Sequence, residues 1–253
     1  TTEIYTLSLH DALPISKLRK QWSMSDTRPY LASMGIYVFN RQVLIDFLED
    51  PTMIDFGHDI LPTAVKSHKV SGYVFNDFWE DIGTIRSFFE VNLELARVNS
   101  PFHFYSLDAP IYTHLRFLPA SYVGQVDARE SRIAEGCRIG QAVLDNCVVG
   151  IRSVIGRGVS LKRTVMMGAD YYDDSARSEH FEPLPPDAPP QGIGDGCQIE
   201  GAIIDKNARI GEGCIIHNAD GKPDYTDPHE RYYIRDGVVI IPKHGILPPG
   251  TEI

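Results

Sequence analysis

No stretch of the 253 residues approaches the ~18–20 consecutive apolar side chains of a membrane-spanning helix. No Lys/Arg run is present either. With 24 basic against 34 acidic residues the net charge is −10, so nucleic acid is not an expected partner. Negative charge does not exclude anionic small molecules, which need only a few local cations. Cysteine is scarce. The four thiols, Cys137, Cys147, Cys197 and Cys214, form no CxxC pair and no Cys/His ligand spacing, which argues against a zinc site. Three of them follow glycine, as small residues packed in a core would, and free packed thiols suit a reducing cytoplasm. The length fits one large or two ordinary domains.

What is present is a repeat. Ile133, Ile139, Val149, Ile155 and Leu161 recur at steps of six, apart from one ten-residue gap, and Ile193, Ile199, Ile204, Ile210 and Ile216 nearly do the same. Glycine and small residues fill the intervals, as in IAEGCR, IGRGVS, IGDGCQ and IGEGCI. A period of six matches neither a helix face nor a two-residue strand alternation. It matches a coil of short strands that turns corners on small residues and sends one aliphatic side chain inward per face. The expected architecture of the C-terminal half is a parallel β-helix.

The chain begins TTEIYTLSLHDALPIS, which resembles the conceptual translation of a DNA sequencing adapter. Residues 1–16 are therefore read as a non-native, adapter-like segment, with native sequence starting near Lys17. The chain is expected to be the back part of a longer protein. A secretory signal fits poorly, because no basic leader precedes the apolar run and Asp11 interrupts it.

From Pro29 the pattern is α/β. Ser33–Phe39 (SMGIYVF) reads as a buried strand. Asn40 can cap a helix whose apolar face is Val43, Leu44, Phe47 and Leu48. Asp59–His68 is a second helix, with Pro62 tolerated in its first turn, and Val70–Phe75 a second strand. Thr84 can cap a third helix, with Phe88, Val91, Leu95 and Val98 on one face. The expected organisation is residues 17–100 as the C-terminal part of a catalytic α/β domain, 101–120 as an extended linker packed along that domain, and 121–253 as the β-helix. Two stretches, Asp170–Gln191 and His217–Arg235, read as loops that leave the coil.

The motifs SMGIYVF, FWEDIGT, DAPIYT, VVGIRSVIGRGV, MMGADYY and AIIDKNARIG stand in the same order as in the glucose-1-phosphate adenylyltransferase (ADP-glucose pyrophosphorylase) family, which the chain resembles from about Pro29 to Ile253. The resemblance implies a Rossmann-like nucleotidyltransferase domain, only part of it in this chain, followed by a left-handed parallel β-helix. It also implies a cytoplasmic homotetramer, without nucleic-acid or membrane partners, that makes ADP-glucose and pyrophosphate from ATP and glucose 1-phosphate for glycogen or starch synthesis. Two carboxylates in the family hold Mg²⁺, and Asp81 in FWEDIGT matches the second. Ser33 matches the serine that contacts glucose 1-phosphate. Lys206 and Lys243 match lysines that bind an anionic, phosphorylated effector.

From the residues alone, Asp81 would be a helix N-terminal aspartate, Ser33 a strand-edge serine and Lys206 a solvated corner residue with Asn207 supplying the left-handed turn. Trp79 fits the sugar pocket or a core equally. Glu80 is a surface residue or a support to Asp81, and Arg152 and Arg209 are effector candidates on charge alone. The family's Gly-rich nucleotide loop, first metal aspartate and Glu-Lys-Pro motif have no counterpart here, so the chain is expected to be inactive alone. Two alternatives remain. One is a non-catalytic regulatory subunit of the same family. The other is a hexapeptide-repeat acyltransferase, for which His217 and His244 are the only repeat-region candidates outside the Pro-rich loop.

Overall fold

The computed structural model describes residues 33–73, 75–173 and 184–253. The adapter-like segment lies outside the described residues. The chain divides into two compact units, Thr1–Trp79 and Glu80–Ile253.

The six-residue period of the second unit becomes three stacks of inward side chains. On one face Ile139 lies beside Ile155, Ile155 beside Ile193, Ile193 beside Ile210 and Ile210 beside Leu247, all in parallel register. On the next, Leu144, Leu161, Ile199 and Ile216 follow one another. On the third, Ile133, Val149, Met166, Ile204 and Ile241 do so. Every member except Ile133 is buried, and together they form one continuous core. Each such aliphatic side chain contributes roughly 1.5–3 kcal/mol relative to exposure. Between stacks the coils approach too closely for side chains. A Cβ on Gly124 would sit 2.4 Å from the Gly140 carbonyl oxygen, so only glycine fits there.

All four cysteines are free and buried in this core. Their Sγ–H groups donate to backbone carbonyls, Cys137 to Gly150 at 3.1 Å and Cys197 to Gly211 at 3.1 Å among them. Burial pushes the Cys147 and Cys197 thiols up to about 11.

A helix, α3 (Ile85–Ala96), docks on the outside of the coil. Thr84 caps it as expected: its Oγ1 accepts from the Ser87 amide, and the Ser87 hydroxyl accepts from the Thr84 amide. The buried stripe is not the expected one. Phe89, Leu93 and Ala96 face inward, while Val98 lies beyond the helix end and is 81% exposed. Apolar residues at 88, 89, 91, 93 and 95 offer more than one stripe, and the β-helix selects among them. Phe89 and Leu93 pack on Val165, Ile203 and Val238, whose side chains point outward from three adjacent strands. Arg132 Nε donates to the Leu95 carbonyl at 2.7 Å, holding the C-terminal end.

Residues 101–118 have no regular secondary structure, and Tyr112 and Phe117 are almost fully exposed. The stretch His217–Arg235 departs from expectation. It carries two short strands, Tyr225–Thr226 and Tyr233–Arg235, paired antiparallel. Val238–Ile241 pairs in parallel with Ala202–Ile204 on one side, and its other edge is free to accept Tyr233–Arg235.

The first unit contains α1 (Arg41–Leu48) and α2 (Leu61–Ser67). Asn40 caps α1, accepting from the Gln42 amide at 3.0 Å. A π turn, Phe56–Ile60, leads into α2, so the expected Asp59–His68 helix is present with an irregular first turn. Phe47, Ile60 and Ala64 form a small core with Phe39, Val43, Met53 and Val70 around it. The two expected strands are absent among the described residues. Ser33–Phe39 has only a bridge residue at Val38, and the described part of Val70–Phe75 has no strand. A strand needs a hydrogen-bonded neighbour, and the described residues of this unit provide no ladder. Gly35, at φ 68°, also breaks the extended backbone.

Candidate functional site

The strand Gln198–Ile204 ends at a corner that Asn207 turns in the left-handed conformation, φ 62°. Asparagine tolerates that geometry because its short side chain can bond locally. Here it does more. Asn207 Oδ1 accepts from the Asp170 amide at 2.8 Å and from Gln191 Nε2 at 3.2 Å, and Asn207 Nδ2 donates to Asp170 Oδ2 at 3.0 Å. Other coils repeat the corner, with His244 on the next coil at φ 60° and Arg152 two coils before at φ 57°. Backbone bonds ladder them: Ala169 N to Ile151 O, Asn207 N to Gly168 O, and His244 N to Lys206 O.

This stacking brings Lys206 and Lys243 together. Val238–Ile241 lies in register beside the strand before Lys206, with Ile241 against Ile204, so both lysines leave the same corner of successive coils. Their ammonium groups meet on one carboxylate. Lys206 Nζ is 2.9 Å from Asp170 Oδ1, and Lys243 Nζ is 2.9 Å from Asp170 Oδ2. The three side chains are 31, 48 and 36% exposed respectively, so the cluster faces solvent. Burial alone would raise the Asp170 carboxyl, but hydrogen bonds from Lys243, Lys206 and Asn207 outweigh it and hold the group well below the usual carboxylate range. The same contact raises Lys243 above its ordinary value.

Asp170 was not singled out by sequence reasoning. It lies in MMGADYY, 36 positions from Lys206, and no spacing rule connects the two. The flanking charges are committed elsewhere. Arg209, only 7% exposed at its side chain, grips Asp173 with both terminal nitrogens and donates to the Pro189 carbonyl. Arg152 donates to the Ala169 carbonyl at 3.2 Å.

The expected substrate residues fall in different units. Ser33, in the first, is buried, and its Oγ accepts from the Gly35 amide at 3.1 Å and lies 3.2 Å from the Tyr37 hydroxyl. Asp81, in the second, is exposed just before the α3 cap, with Oδ1 accepting from the Gly83 amide at 2.9 Å. Glu80 is exposed and Trp79 half-buried. A hard divalent cation takes about six oxygens, and Asp81 is chemically suited to supply one or two of them. Among the described residues no group of three acidic, His or Cys side chains converges as a metal site, so Asp81 is a partial donor set. His217 and His244 both lie exposed at coil ends. No helix among the described residues is long and apolar enough to cross a membrane.

The molecule is thus a nucleotidyltransferase-type α/β segment joined to a left-handed parallel β-helix. Residues 19–98 match the family model "Nucleotidyl transferase", and residues 116–252 match "GLGC left-handed parallel beta-helix domain". The chain belongs to the glucose-1-phosphate adenylyltransferase, or ADP-glucose pyrophosphorylase, family.

Proposed function

We propose that the protein to which this chain belongs transfers AMP from ATP to glucose 1-phosphate, for glycogen or starch synthesis in the cytoplasm. A phosphate oxygen of glucose 1-phosphate attacks the α-phosphorus in line, the bond to the β-phosphate oxygen breaks, and ADP-glucose and pyrophosphate leave. Mg²⁺, when bound, would neutralise charge building on the phosphates, with Asp81 as one ligand. The Ser33 hydroxyl can both donate to and accept from sugar-phosphate oxygens. Lys206 and Lys243 would bind the anionic group of a phosphorylated effector, and the assembly would be a homotetramer.

The observation that carries this reading is the pairing of the two family matches with two lysines converging on one solvent-facing corner. It is tested with the product of the intact gene, given ATP, glucose 1-phosphate and Mg²⁺. ADP-glucose and pyrophosphate should appear in equal amounts. A product with another sugar, or none with any phosphorylated effector, would sink it.

A further inference from the structure

The two lysines of the effector corner are not bare. Each ammonium already holds one oxygen of the same carboxylate, and Asn207 Nδ2 donates to that carboxylate as well. Resting on the effector reading given above, we propose that Asp170 is an internal stand-in for the effector's anionic group: it fills the two-lysine site in the resting chain, and an outside anion enters only by displacing it, which selects phosphate-monoester dianions over carboxylates.

The segment does not need these contacts for its own anchorage. Asp173, three residues on, is clamped by the nearly buried Arg209, and the Gln191 amide donates to Asp173 at 2.9 Å. The Asp170 amide is held by Asn207 Oδ1, and the Ala169 amide by the Ile151 carbonyl. The Asp170 side chain can therefore turn away while its backbone stays. Both aspartates reach solvent, but the cation holding Asp173 is nearly buried, whereas the two lysines holding Asp170 are exposed.

Charge sets the ligand class. Lys206 and Lys243 are offset by Asp170 and by Asp205, whose carboxylate accepts from the Lys206 amide and acts on Lys243. Arg152, on the neighbouring Ala169 carbonyl, leaves the corner with one positive charge in excess while Asp170 is in place. An outside carboxylate would replace Asp170 like for like and still lose the freedom that binding costs. A phosphate monoester carries about −1.5 to −2 charge and three terminal oxygens, enough to take both ammonium groups and the Asn207 amide together.

The test is calorimetric titration of inorganic phosphate, with acetate in parallel, at constant ionic strength. The full chain is compared with its Asp170→Asn and Asp170→Asn/Lys206→Ala forms. An internal occupant present about 90% of the time reduces apparent affinity about tenfold, so Asp170→Asn should bind phosphate at least that much tighter. Acetate should bind Asp170→Asn but not the unsubstituted chain, and the double variant should lose the gain. Equal phosphate affinity with and without Asp170 would overturn the stand-in and leave the effector site standing. Phosphate binding to neither form would remove both. Should Asp170→Asn fail to fold, crystals of the unsubstituted chain soaked in phosphate decide the matter. Phosphate on both Nζ atoms with Asp170 turned away supports the displacement, and Asp170 still paired to both lysines overturns it.

Discussion

Glu90 and Arg163 are 73 positions apart, yet both carboxylate oxygens of Glu90 lie 2.8 Å from Arg163 Nη2. The pair joins the exposed shoulder of α3 to a strand of the β-helix, above the buried contact of Phe89 and Leu93. The two kinds of contact differ in worth. Leu93→Ala should destabilise the second unit by about 2–5 kcal/mol through lost burial and the cavity left. Arg163→Ala should cost roughly 0–1 kcal/mol, because the pair is 36 and 45% exposed and screened by water. Urea unfolding of the two variants checks the order, and a larger loss for Arg163→Ala would contradict it.

At the corner, Asn207 combines a left-handed backbone with hydrogen bonds to Asp170 and Gln191. Asn207→Gly keeps the backbone and loses the bonds; Asn207→Ala also loses the bonds and adds about 1–2 kcal/mol of left-handed strain. Thermal melts should rank Asn above Gly above Ala. Equal melting of Gly and Ala would remove the strain argument.

The buried thiols make an alkaline prediction. An unfolded chain releases its thiol protons near pH 9, whereas native Cys147 and Cys197 keep theirs until about 11. The native state then binds more protons than the unfolded one, so stability falls as pH rises through that window and is fully present below it. Cys147→Ala/Cys197→Ala should flatten the decline between pH 9 and 11 in denaturant titrations. An unchanged slope would count against the assignment.

For the chemistry, Asp81→Asn in a catalytically active protein that carries this sequence should lower turnover far more than folding stability. Ser33→Ala should chiefly weaken glucose 1-phosphate, by ~1–2 kcal/mol if one hydrogen bond is lost. Because Ser33 also serves the Gly35 turn, the melting temperature must be followed beside KM. A stability loss without a change in KM would make it a structural residue.

The β-helix was legible because its period is local. Ile139, Ile155, Ile193 and Ile210 announce their own stack, and each coil needs only its neighbour to close. The helix caps at Asn40 and Thr84 were legible for the same reason. The strands expected at Ser33–Phe39 and Val70–Phe75 failed because pairing depends on partners far off in sequence. The face of α3 was read only in part: Phe88 does pack against the cluster of Val165, Ile203 and Val238, but the fully buried positions there are Phe89 and Leu93, which only those distant partners select. Lys206 and Lys243 were found through motif likeness, whereas Asp170 became visible only once three coils were stacked.

The stretch leaving the coil after Asp173 returns at Gln191, and its two feet are tied: the Gln191 amide bonds Asp173, and Arg209 grips Asp173 from the coil itself. On either side of those feet the coils are in register, with Ile155 against Ile193 and Leu161 against Ile199. Doubling the length between the feet costs only ~0.6 kcal/mol in closure entropy. The knot at Asp173 makes this a socket into which a reporter domain or affinity handle can be spliced, leaving the stacked corners beside it undisturbed.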